Sequence, residues 1–309
     1  MKKISFIIPA FNEEGNILEL HNQINQSTKD YENYDFEFLF IENGSTDQTF
    51  FRILDLVKKD SRVKYLKLSR NFKMDGGIAA GLDYVTGDAA IIMTANLQDD
   101  PKIIPDFISK WEEGFNHVYG IVKSRPGKSL IRRLNSIIFY KLINKMTNNL
   151  VPIGVSDYRL VDRKVIESVK TLKEYNRFYR GFFSWVGFKS IGIEFNRQKR
   201  FSGSSHASTF PVLGFAIRAM LAFSTKPLKI SVFITLITSS ISLAILVQQT
   251  LKWFRFGVPF DGFGTLTGIL LLFISFLFMI LSIIGEYIGL IYDETKQRPN
   301  YIVEEKSNI

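Results

Sequence analysis

The chain has 309 residues, of which 46% are hydrophobic and 22% charged, and its formal net charge is +9. This composition excludes a disordered chain, a collagen-like repeat and a protein built mostly of membrane spans. Because the sequence contains no cysteine, disulfides, thiolate metal sites and a cysteine nucleophile are also excluded, which fits a reducing compartment. The apolar run at the N-terminus is too short for a signal peptide, so we expect a cytoplasmic N-terminus.

The positive charge is concentrated in the middle of the chain. Residues 1–116 carry a net charge of −6, residues 117–229 a net charge of +16, and residues 230–309 a net charge of −1. A block this basic needs an anionic partner, which can be nucleic acid, membrane headgroups or a phosphorylated small molecule. We expect no nucleic-acid partner, because the basic block precedes two apolar segments that favour a membrane.

Short apolar runs alternate with segments of helical periodicity in the first part of the chain. Strands are predicted at Ile4–Ile8, Phe36–Ile41, Val63–Leu68, Ala89–Met93 and Val118–Val122. Helices are predicted to start at Asn12 and Ser45, where capping side chains precede acidic residues. The alternation predicts an α/β fold with a mostly parallel sheet and ligand-binding loops at the carboxyl ends of its strands.

Two further segments have helical periodicity. The charged residues of the first are all basic, and the second has a single charged residue. Residues 130–146 place basic side chains opposite an apolar face, and residues 210–223 contain a single charged residue, Arg218. We interpret both as helices at a membrane surface, and core helices of the domain remain the alternative.

Two windows near the C-terminus contain no charged residue. They cover residues 230–251 and 262–285, which are 22 and 24 residues long. Helices of this length cross a hydrocarbon core of about 30 Å, so we predict two transmembrane helices; the alternative is a pair of buried core helices. Gly264-x-x-x-Gly268 and Gly285-x-x-x-Gly289 favour close helix packing, either within the chain or between copies.

Five motifs follow the predicted strands in order and carry a resemblance to a known family. They are Pro9–Glu14, Glu42–Thr49, Ser69–Phe72, Leu97–Asp99 and Ser156–Leu160. Together they resemble the family 2 glycosyltransferases, and most closely the polyprenyl-phosphate subgroup of bactoprenol glucosyltransferases and dolichol-phosphate mannose synthases. The segment from Ile284 to Pro299 resembles the ending of the two-span bacterial members.

The resemblance implies a domain organisation. We expect a GT-A, Rossmann-like domain over residues 1–208, which includes the basic segment 130–146, and an interfacial helix over 209–229. Transmembrane helices over 230–251 and 262–285 and a cytoplasmic tail over 286–309 complete the chain. The protein is then a multi-pass protein of the plasma (inner) membrane with its catalytic domain in the cytoplasm.

The resemblance also implies an activity. A sugar would pass from a nucleotide-sugar to polyprenyl (undecaprenyl) phosphate, with inversion, for modification of a cell-surface glycan. The alternative is a catalytically impaired, membrane-anchored pseudo-glycosyltransferase that binds a ligand or a partner.

Site residues follow from the family motifs. The nucleotide-sugar is expected to contact Pro9, Asn12, Glu14, Asn43, Asn71, Asn96 and Gln98. Asp157 and Asp99 are the candidate catalytic residues. The acceptor phosphate is expected to contact Arg125, Arg159, Arg177, Arg200 and Ser205.

Three positions depart from the family pattern. The metal motif Asp-x-Asp-x-Gln is replaced by residues 94–98, where Asn96 and Gln98 are the remaining candidate ligands. Mg²⁺ and Mn²⁺ prefer anionic oxygen, so we expect much weaker metal binding. Asn43 replaces an aspartate, which predicts a changed preference for the nucleotide base, and His206 replaces a lysine. We therefore predict catalysis that depends little on metal.

Other nucleotide and metal motifs do not fit. The sequence has no P-loop, and its three histidines show no metal-ligand spacing. The glycines of residues 76–81 lack the dinucleotide-binding spacing, so we expect them to serve close helix packing.

Overall fold

Eight strands form one sheet in the part of the computed structural model that is described, in the order β7-β5-β6-β4-β1-β2-β3-β8. The strands are β1 (Lys2–Ala10), β2 (Tyr34–Glu42), β3 (Val63–Leu68), β4 (Ala89–Ile92), β5 (His117–Ser124), β6 (Val155–Asp162), β7 (Ser190–Asn196) and β8 (Val303–Lys306). The structure describes residues 1–124, 152, 154–175, 177–198, 236–238, 240–241, 244, 247–248, 251–252, 254–257 and 262–307.

Helices lie between the strands. They are α1 (Ile17–Thr28), α2 (Thr49–Lys59), α3 (Lys73–Tyr84), α4 (Ile104–Glu112), α5 (Arg163–Lys170), α6 (Tyr179–Trp185) and α7 (Phe263–Thr295). A 3₁₀ turn, Pro101–Ile103, precedes α4. Strands β1, β2 and β4 are buried over most of their length, and β3 alternates buried apolar residues with partly exposed lysines. This burial is expected of central strands whose two faces are covered by helices.

The predicted α/β fold with a mostly parallel sheet is confirmed. Strand β1 pairs in parallel with β2 and β4, β2 with β3, and β5 with β7. Strand β6 lies antiparallel between β4 and β5, and β8 pairs antiparallel with β3. Ile92 at the end of β4 pairs with Arg159, so the residues that precede Arg159 in β6 extend beyond the carboxyl end of β4.

The glycines in α3 allow this helix to lie directly on β1. A Cβ at Gly77 would stand 2.9 Å from Cβ of Pro9, and a Cβ at Gly81 would clash with Ile7. The prediction of close packing for this segment is confirmed, because any larger side chain would force the helix away from the strand.

The two predicted helix starts are wrong by five and four residues. Helix α1 begins at Ile17 and α2 at Thr49, not at Asn12 and Ser45. Asn12 has a positive φ of 54°, which a regular helix does not allow. Its side chain binds the neighbouring loop instead of capping its own helix.

Residues 217–297 form a unit separate from residues 1–216 and 298–309. Among the described residues of this unit, one helical stretch is long and apolar enough to cross a membrane, Leu272–Thr295 in α7. It overlaps the predicted span 262–285, so one of the two predicted transmembrane helices has support. The first, 230–251, lies largely outside the described residues, although residues 236–238 are helical. Segments 130–146 and 209–229 also lie outside them.

The segment predicted as a cytoplasmic tail, 286–309, has regular structure over much of its length. Helix α7 continues to Thr295, and residues Val303–Lys306 form the edge strand β8 of the sheet. The last described residues of the chain therefore belong to the same unit as the sheet.

Candidate active site

The loops that follow β1 and β2 are joined by side-chain hydrogen bonds. The Oδ1 atom of Asn12 accepts from the backbone N–H of Thr46 at 2.8 Å, and the N–H of Asn12 donates to Ser45 Oγ at 3.1 Å. The Oε2 atom of Glu14 accepts from the N–H of Gln48 at 2.9 Å. Two of the residues predicted to contact the donor thus brace the loops at the carboxyl edge of the sheet.

The side-chain amide of Asn43 joins the end of β2 to the start of α3. Its Oδ1 accepts from the N–H of Phe72 and its Nδ2 donates to the carbonyl oxygen of Lys73, both at 2.8 Å. Asn71 accepts from the N–H of Lys73 at 2.7 Å. An aspartate in place of Asn43 has no hydrogen to donate, so the amide at this position is needed by the fold of the loop.

The loop that follows β4 is closed by hydrogen bonds among its own side chains. The hydroxyl of Thr94 donates to Asp99 Oδ2 at 2.7 Å and approaches Asn96 Oδ1 at 2.9 Å. The Oδ1 atom of Asn96 also accepts from the N–H of Gln98 at 3.1 Å, and Asn96 Nδ2 donates to Gln98 Oε1 at 3.3 Å. The polar atoms of the altered metal motif therefore satisfy one another.

Asp99 holds the end of β7 against this loop. The carboxylate is fully buried, and its Oδ1 accepts from Nε and Nη2 of Arg197 at 3.1 and 2.9 Å. Gln198 adds a hydrogen bond from its N–H to the Gln98 carbonyl oxygen and one from Nε2 to Asp100 Oδ2. Because the Asp99 carboxylate is fully buried and both of its oxygens bind protein groups, its position fits a structural role in the loop.

The residues present do not fit a divalent cation. Thr94, Asn96 and Gln98 are neutral and already hydrogen-bonded to one another, and the guanidinium of Arg197 lies on Asp99. Within the described residues, no group of three or more histidine or acidic side chains has the geometry to hold a metal. We therefore derive no reaction step through Mg²⁺ or Mn²⁺.

Asp157 forms a bidentate ion pair with Arg180 at the same edge of the sheet. Nε of Arg180 donates to Oδ1 at 2.7 Å, and Nη2 donates to Oδ2 at 2.6 Å. Burial opposes ionisation of Asp157, but the charge and hydrogen bonds of Arg180 outweigh it and hold the pKa of the carboxyl below its usual range. Asp157 is therefore ionised at neutral pH and is a weak proton acceptor.

A second carboxyl group, Asp75 in the first turn of α3, faces the same pair. The backbone N–H of Tyr179 also faces Asp75 and acts to lower its pKa. Burial and the negative charge of Asp157 raise the pKa of Asp75 to about 7, although Arg180 and Lys73 act in the opposite direction. Asp75 is thus the acidic group of this site that titrates near neutral pH.

Arg159, predicted to bind phosphate, lies in the core. Its side chain is 1% exposed, and it donates to the carbonyl oxygens of Ser156 and Asp157. The guanidinium also lies 4.8 Å from the ring centroid of Phe183 and approaches His117 Nε2. We therefore correct this expectation: Arg159 supports the backbone of β6 beneath Asp157 and does not present its guanidinium to a ligand.

The remaining predicted phosphate ligands divide into two groups. Arg177 is described, and its Nη1 donates to the Tyr179 hydroxyl at 2.7 Å. Arg125, Arg200 and Ser205 lie outside the described residues. Sequence reasoning missed Asp75, Arg180 and Arg197. Arg180 follows Arg177 by three residues, a spacing that could have drawn attention to it.

Comparisons with known proteins agree with the motifs. Residues 5–170 match the family model described as glycosyl transferase family 2. The chain is 35% identical over 303 residues to the prophage bactoprenol glucosyl transferase homolog of Escherichia coli strain K12, covering 98% of each chain. It is 34% identical over 305 residues to the bactoprenol glucosyl transferase of Shigella phage SfX, covering 98% of this chain and 99% of that one.

One solved structure with a similar chain fold is the glucosyl-3-phosphoglycerate synthase of Mycobacterium tuberculosis in complex with Mn²⁺, UDP-glucose and phosphoglyceric acid. Its identity to this chain is 18%, and its TM-score is 0.48. The match covers 72% of this chain and 78% of that chain.

Proposed function

Because the chain belongs to glycosyl transferase family 2 and is therefore a glycosyltransferase, we propose that it transfers one sugar from a nucleotide-sugar to polyprenyl phosphate. The proposal is supported by relatives named as bactoprenol glucosyl transferases, which match nearly the whole chain. The reaction takes place at the cytoplasmic face of the plasma membrane and inverts the sugar, as the resemblance implies.

The observation that carries the proposal is the position of Asp157. Strand β6 extends past the carboxyl end of β4. Asp157 therefore lies at the edge of the sheet from which the loops after β1, β2 and β4 start. A nucleotide-sugar bound to those loops has Asp157 and its partner Arg180 beside it. In open α/β sheets this edge is where ligands bind.

The ionised state of Asp157 defines its role in the reaction. A lipid phosphate is already an anion at neutral pH, so the nucleophile needs no general base. Asp157, held ionised by Arg180, orients the sugar or the acceptor instead of removing a proton. Catalysis then rests on positioning and on stabilisation of the departing diphosphate.

The departing diphosphate is neutralised by basic side chains of the middle segment. Arg125, Arg200 and Ser205 stay proposed for the acceptor phosphate, whereas the guanidinium of Arg177 is bound to Tyr179 and Asn300. The net charge of +16 over residues 117–229 is proposed to offset the charge of the diphosphate. This assignment takes the place of the carboxylate-bound metal that residues 94–98 do not fit. The transfer is therefore independent of added divalent cation.

Attachment to the membrane brings the enzyme to its lipid acceptor. Helix α7 contains one stretch suited to a membrane, and the uncharged window 230–251 is proposed as a second span. Among the described residues nothing lies within 4 Å of a Cβ placed at Gly285 or Gly289. The spacing of these small residues supports close packing of α7 against another helix, either within the chain or from a second copy.

The non-catalytic alternative has no support. The relatives that match nearly the whole chain are named as transferases, and the loops at the carboxyl edge of the sheet are intact.

The test is a transfer assay with the purified full chain in detergent. Undecaprenyl phosphate and a panel of nucleotide-sugars are supplied with and without EDTA, and the glycosylated lipid is detected by mass spectrometry. We expect transfer from at least one donor, at a rate that EDTA leaves unchanged. No transfer from any donor, with activity gained by combining Thr94→Asp and Asn96→Asp, would overturn the proposal of metal-independent catalysis.

A further inference from the structure

The C-terminal segment after α7 is attached to the sheet along most of its described length. Strand β8 pairs with β3, and the N–H of Ser69 donates to the carbonyl oxygen of Ile302 at 3.0 Å. The hydroxyl of Tyr301 donates to Asp83 Oδ2 at 2.7 Å. The segment thus runs from the edge strand to helix α3.

At Asn300 this segment reaches the start of α3. A Cβ placed at Gly76 would lie 3.0 Å from the carbonyl oxygen of Asn300, so only glycine allows the backbone of the segment to pass this closely. Gly76 is adjacent in sequence to Asp75. The C-terminal segment therefore lies beside the candidate active site.

The side chain of Asn300 holds the residues before α6. In the amide orientation that satisfies both of its groups, Nδ2 donates to the Tyr175 carbonyl oxygen at 3.0 Å, and Oδ1 accepts from Nε and Nη2 of Arg177 at 2.8 and 3.2 Å. The other guanidinium nitrogen of Arg177 donates to the Tyr179 hydroxyl at 2.7 Å. Tyr179 is 1% exposed, so the chain of contacts ends in the core.

The series of contacts from Asn300 through Arg177 ends at Tyr179, which lies beside two carboxylates of the candidate active site. The backbone N–H of Tyr179 faces Asp75 and acts to lower its pKa, and the next residue, Arg180, forms the ion pair with Asp157. A displacement of residues 177–179 therefore moves Tyr179 relative to Asp75 and Arg180 relative to Asp157. Shifts of about 1 Å at such groups cost about 100-fold in rate.

We propose that Asn300 is a positioning residue, which acts through Arg177 to fix Tyr179 and Arg180 against Asp75 and Asp157. The C-terminal segment is then part of the catalytic domain and not a free tail. The inference rests on the proposed function for its effect on the reaction, whereas the contacts themselves are independent of it.

Two variants of Asn300 and one control test this role. Asn300→Ala removes the contact with Arg177, Asn300→Asp keeps the oxygen that accepts from Arg177, and Glu304→Gln removes an exposed ion pair with Lys67 in the same segment. We expect kcat to fall about 10- to 100-fold in Asn300→Ala, to recover partly in Asn300→Asp and to stay at the wild-type value in Glu304→Gln. The KM for the nucleotide-sugar should not change, because the loops after β1 and β2 are not involved.

A pH profile distinguishes positioning from a loss of folded protein. Asp75 faces Asp157, Arg180, Lys73 and the N–H of Tyr179. Asp75 titrates near neutral pH beside the carboxylate of Asp157, so its ionisation should appear as an inflection in kcat. Moving the Tyr179 N–H away from Asp75 raises the pKa of Asp75, so this inflection should move to higher pH in Asn300→Ala. A wild-type kcat and pH profile in Asn300→Ala, or an equal loss in Glu304→Gln, would overturn the inference.

Hydrogen exchange separates this inference from the proposed function. Amides of residues 177–185 should exchange faster in Asn300→Ala than in Glu304→Gln or the wild type. If the wild type transfers no sugar, the proposed function fails. Hydrogen exchange still tests whether Asn300 holds residues 177–185 in place, because this measurement does not depend on activity. Unchanged exchange in residues 177–185 would contradict the positioning role.

Discussion

Arg180 and Asp157 join helix α6 to strand β6 through two parallel hydrogen bonds of 2.7 and 2.6 Å. Their side chains are 29% and 19% exposed, so the pair is shielded from much of the screening that weakens surface ion pairs. The pair fixes the plane of the Asp157 carboxylate toward the edge where the donor loops end. Its removal should therefore affect the reaction more than the fold.

We predict that Arg180→Lys lowers kcat about 10- to 100-fold, because lysine keeps the charge but cannot form the second parallel bond. In Arg180→Ala the pKa of Asp157 rises, so the acid limb of the pH–rate profile moves to higher pH. Steady-state kinetics from pH 4 to pH 9 measure both effects.

Arg62→Lys is the matched control for that experiment. Arg62 also forms a bidentate pair with an aspartate, Asp60, at 3.0 and 2.7 Å, but this pair lies away from the site. We expect the kcat of Arg62→Lys to equal that of the wild type. Equal losses in Arg62→Lys and Arg180→Lys would contradict a specific role for Arg180.

The raised pKa of Asp75 predicts a pH-dependent stability. Folding raises this pKa from an ordinary 3.8 to about 7, so the native state binds the proton more tightly than the unfolded state. The contribution of protonated Asp75 to the free energy of unfolding is fully present below about pH 4 and is lost as the pH rises through about 7. Asp75→Asn does not ionise, so it should gain stability relative to the wild type between pH 5 and pH 8.

Denaturant-induced unfolding of the detergent-solubilised chain at pH 5 and pH 8 measures this difference. Asp83→Asn is unsuitable as a control because Asp83 binds Tyr301. Asp55→Asn changes a half-exposed aspartate on α2 and serves better. A stability difference between Asp75→Asn and the wild type that does not change with pH would contradict the assignment.

Much of the sheet could be predicted from the sequence, because β1 to β5 each contain a short, mostly apolar stretch between segments of helical periodicity. Strands β6, β7 and β8 could not. Strand β6 contains Asp157 and Arg159, β7 is mostly partly exposed, and β8 is the polar edge sequence Val-Glu-Glu-Lys. Each of these strands is formed through pairing with a distant strand, and no local pattern reports that pairing.

The site was predictable to the level of its loops but not of its partners. Asn12, Glu14 and Asn43 lie at the expected edge, whereas the partners of Asp157 and Asp99, Arg180 and Arg197, come from distant segments. Arg159 shows the opposite error. Its place in a basic segment suggested phosphate binding, but β6 is buried on both faces from Tyr158 to Val161, so the Arg159 side chain lies in the core, whereas Asp157 lies nearer the start of the strand and is partly exposed.

Glu37 provides a test of the opposite edge of the sheet. Its buried carboxylate accepts from Ser5 Oγ at 2.6 Å, Lys64 Nζ at 2.9 Å and the N–H of Thr86 at 3.2 Å. Burial raises the pKa of Glu37, but these hydrogen bonds outweigh it and lower the pKa from 4.5 to about 2. The contribution of ionised Glu37 to the free energy of unfolding is therefore fully present above about pH 4.5 and is lost as the pH falls toward 2.

We predict that Glu37→Gln lowers the free energy of unfolding by about 1.5–3 kcal/mol at pH 7, the value of hydrogen bonds to a charged group. The loss should shrink at pH 3, and unfolding curves at the two pH values measure it. Glu32→Gln changes an exposed glutamate and should alter stability by less than about 0.5 kcal/mol. A pH-independent loss in Glu37→Gln would show that the charge of Glu37 does not stabilise the fold.

The altered metal motif predicts a gain of metal binding on restoration of its carboxylates. Combining Thr94→Asp with Asn96→Asp removes the hydroxyl that donates to Asp99 and places two further negative charges beside that buried group. Without metal the double variant should melt at a lower temperature than the wild type, because these charges repel. Mn²⁺ at about 100 times its Kd should stabilise the double variant by about 2.7 kcal/mol and leave the wild type unchanged.

Thermal unfolding with and without Mn²⁺ measures this difference, and Thr94→Val is the control, since it removes the Thr94 hydroxyl without adding a carboxylate. We expect Thr94→Val to lose stability and to ignore Mn²⁺. Neutral side chains hydrogen-bonded to one another offer a hard cation no anionic oxygen, whereas aspartates at the same positions do. Stabilisation of the wild type by Mn²⁺ to the same extent as the double variant would contradict the conclusion that residues 94–98 do not fit a divalent cation.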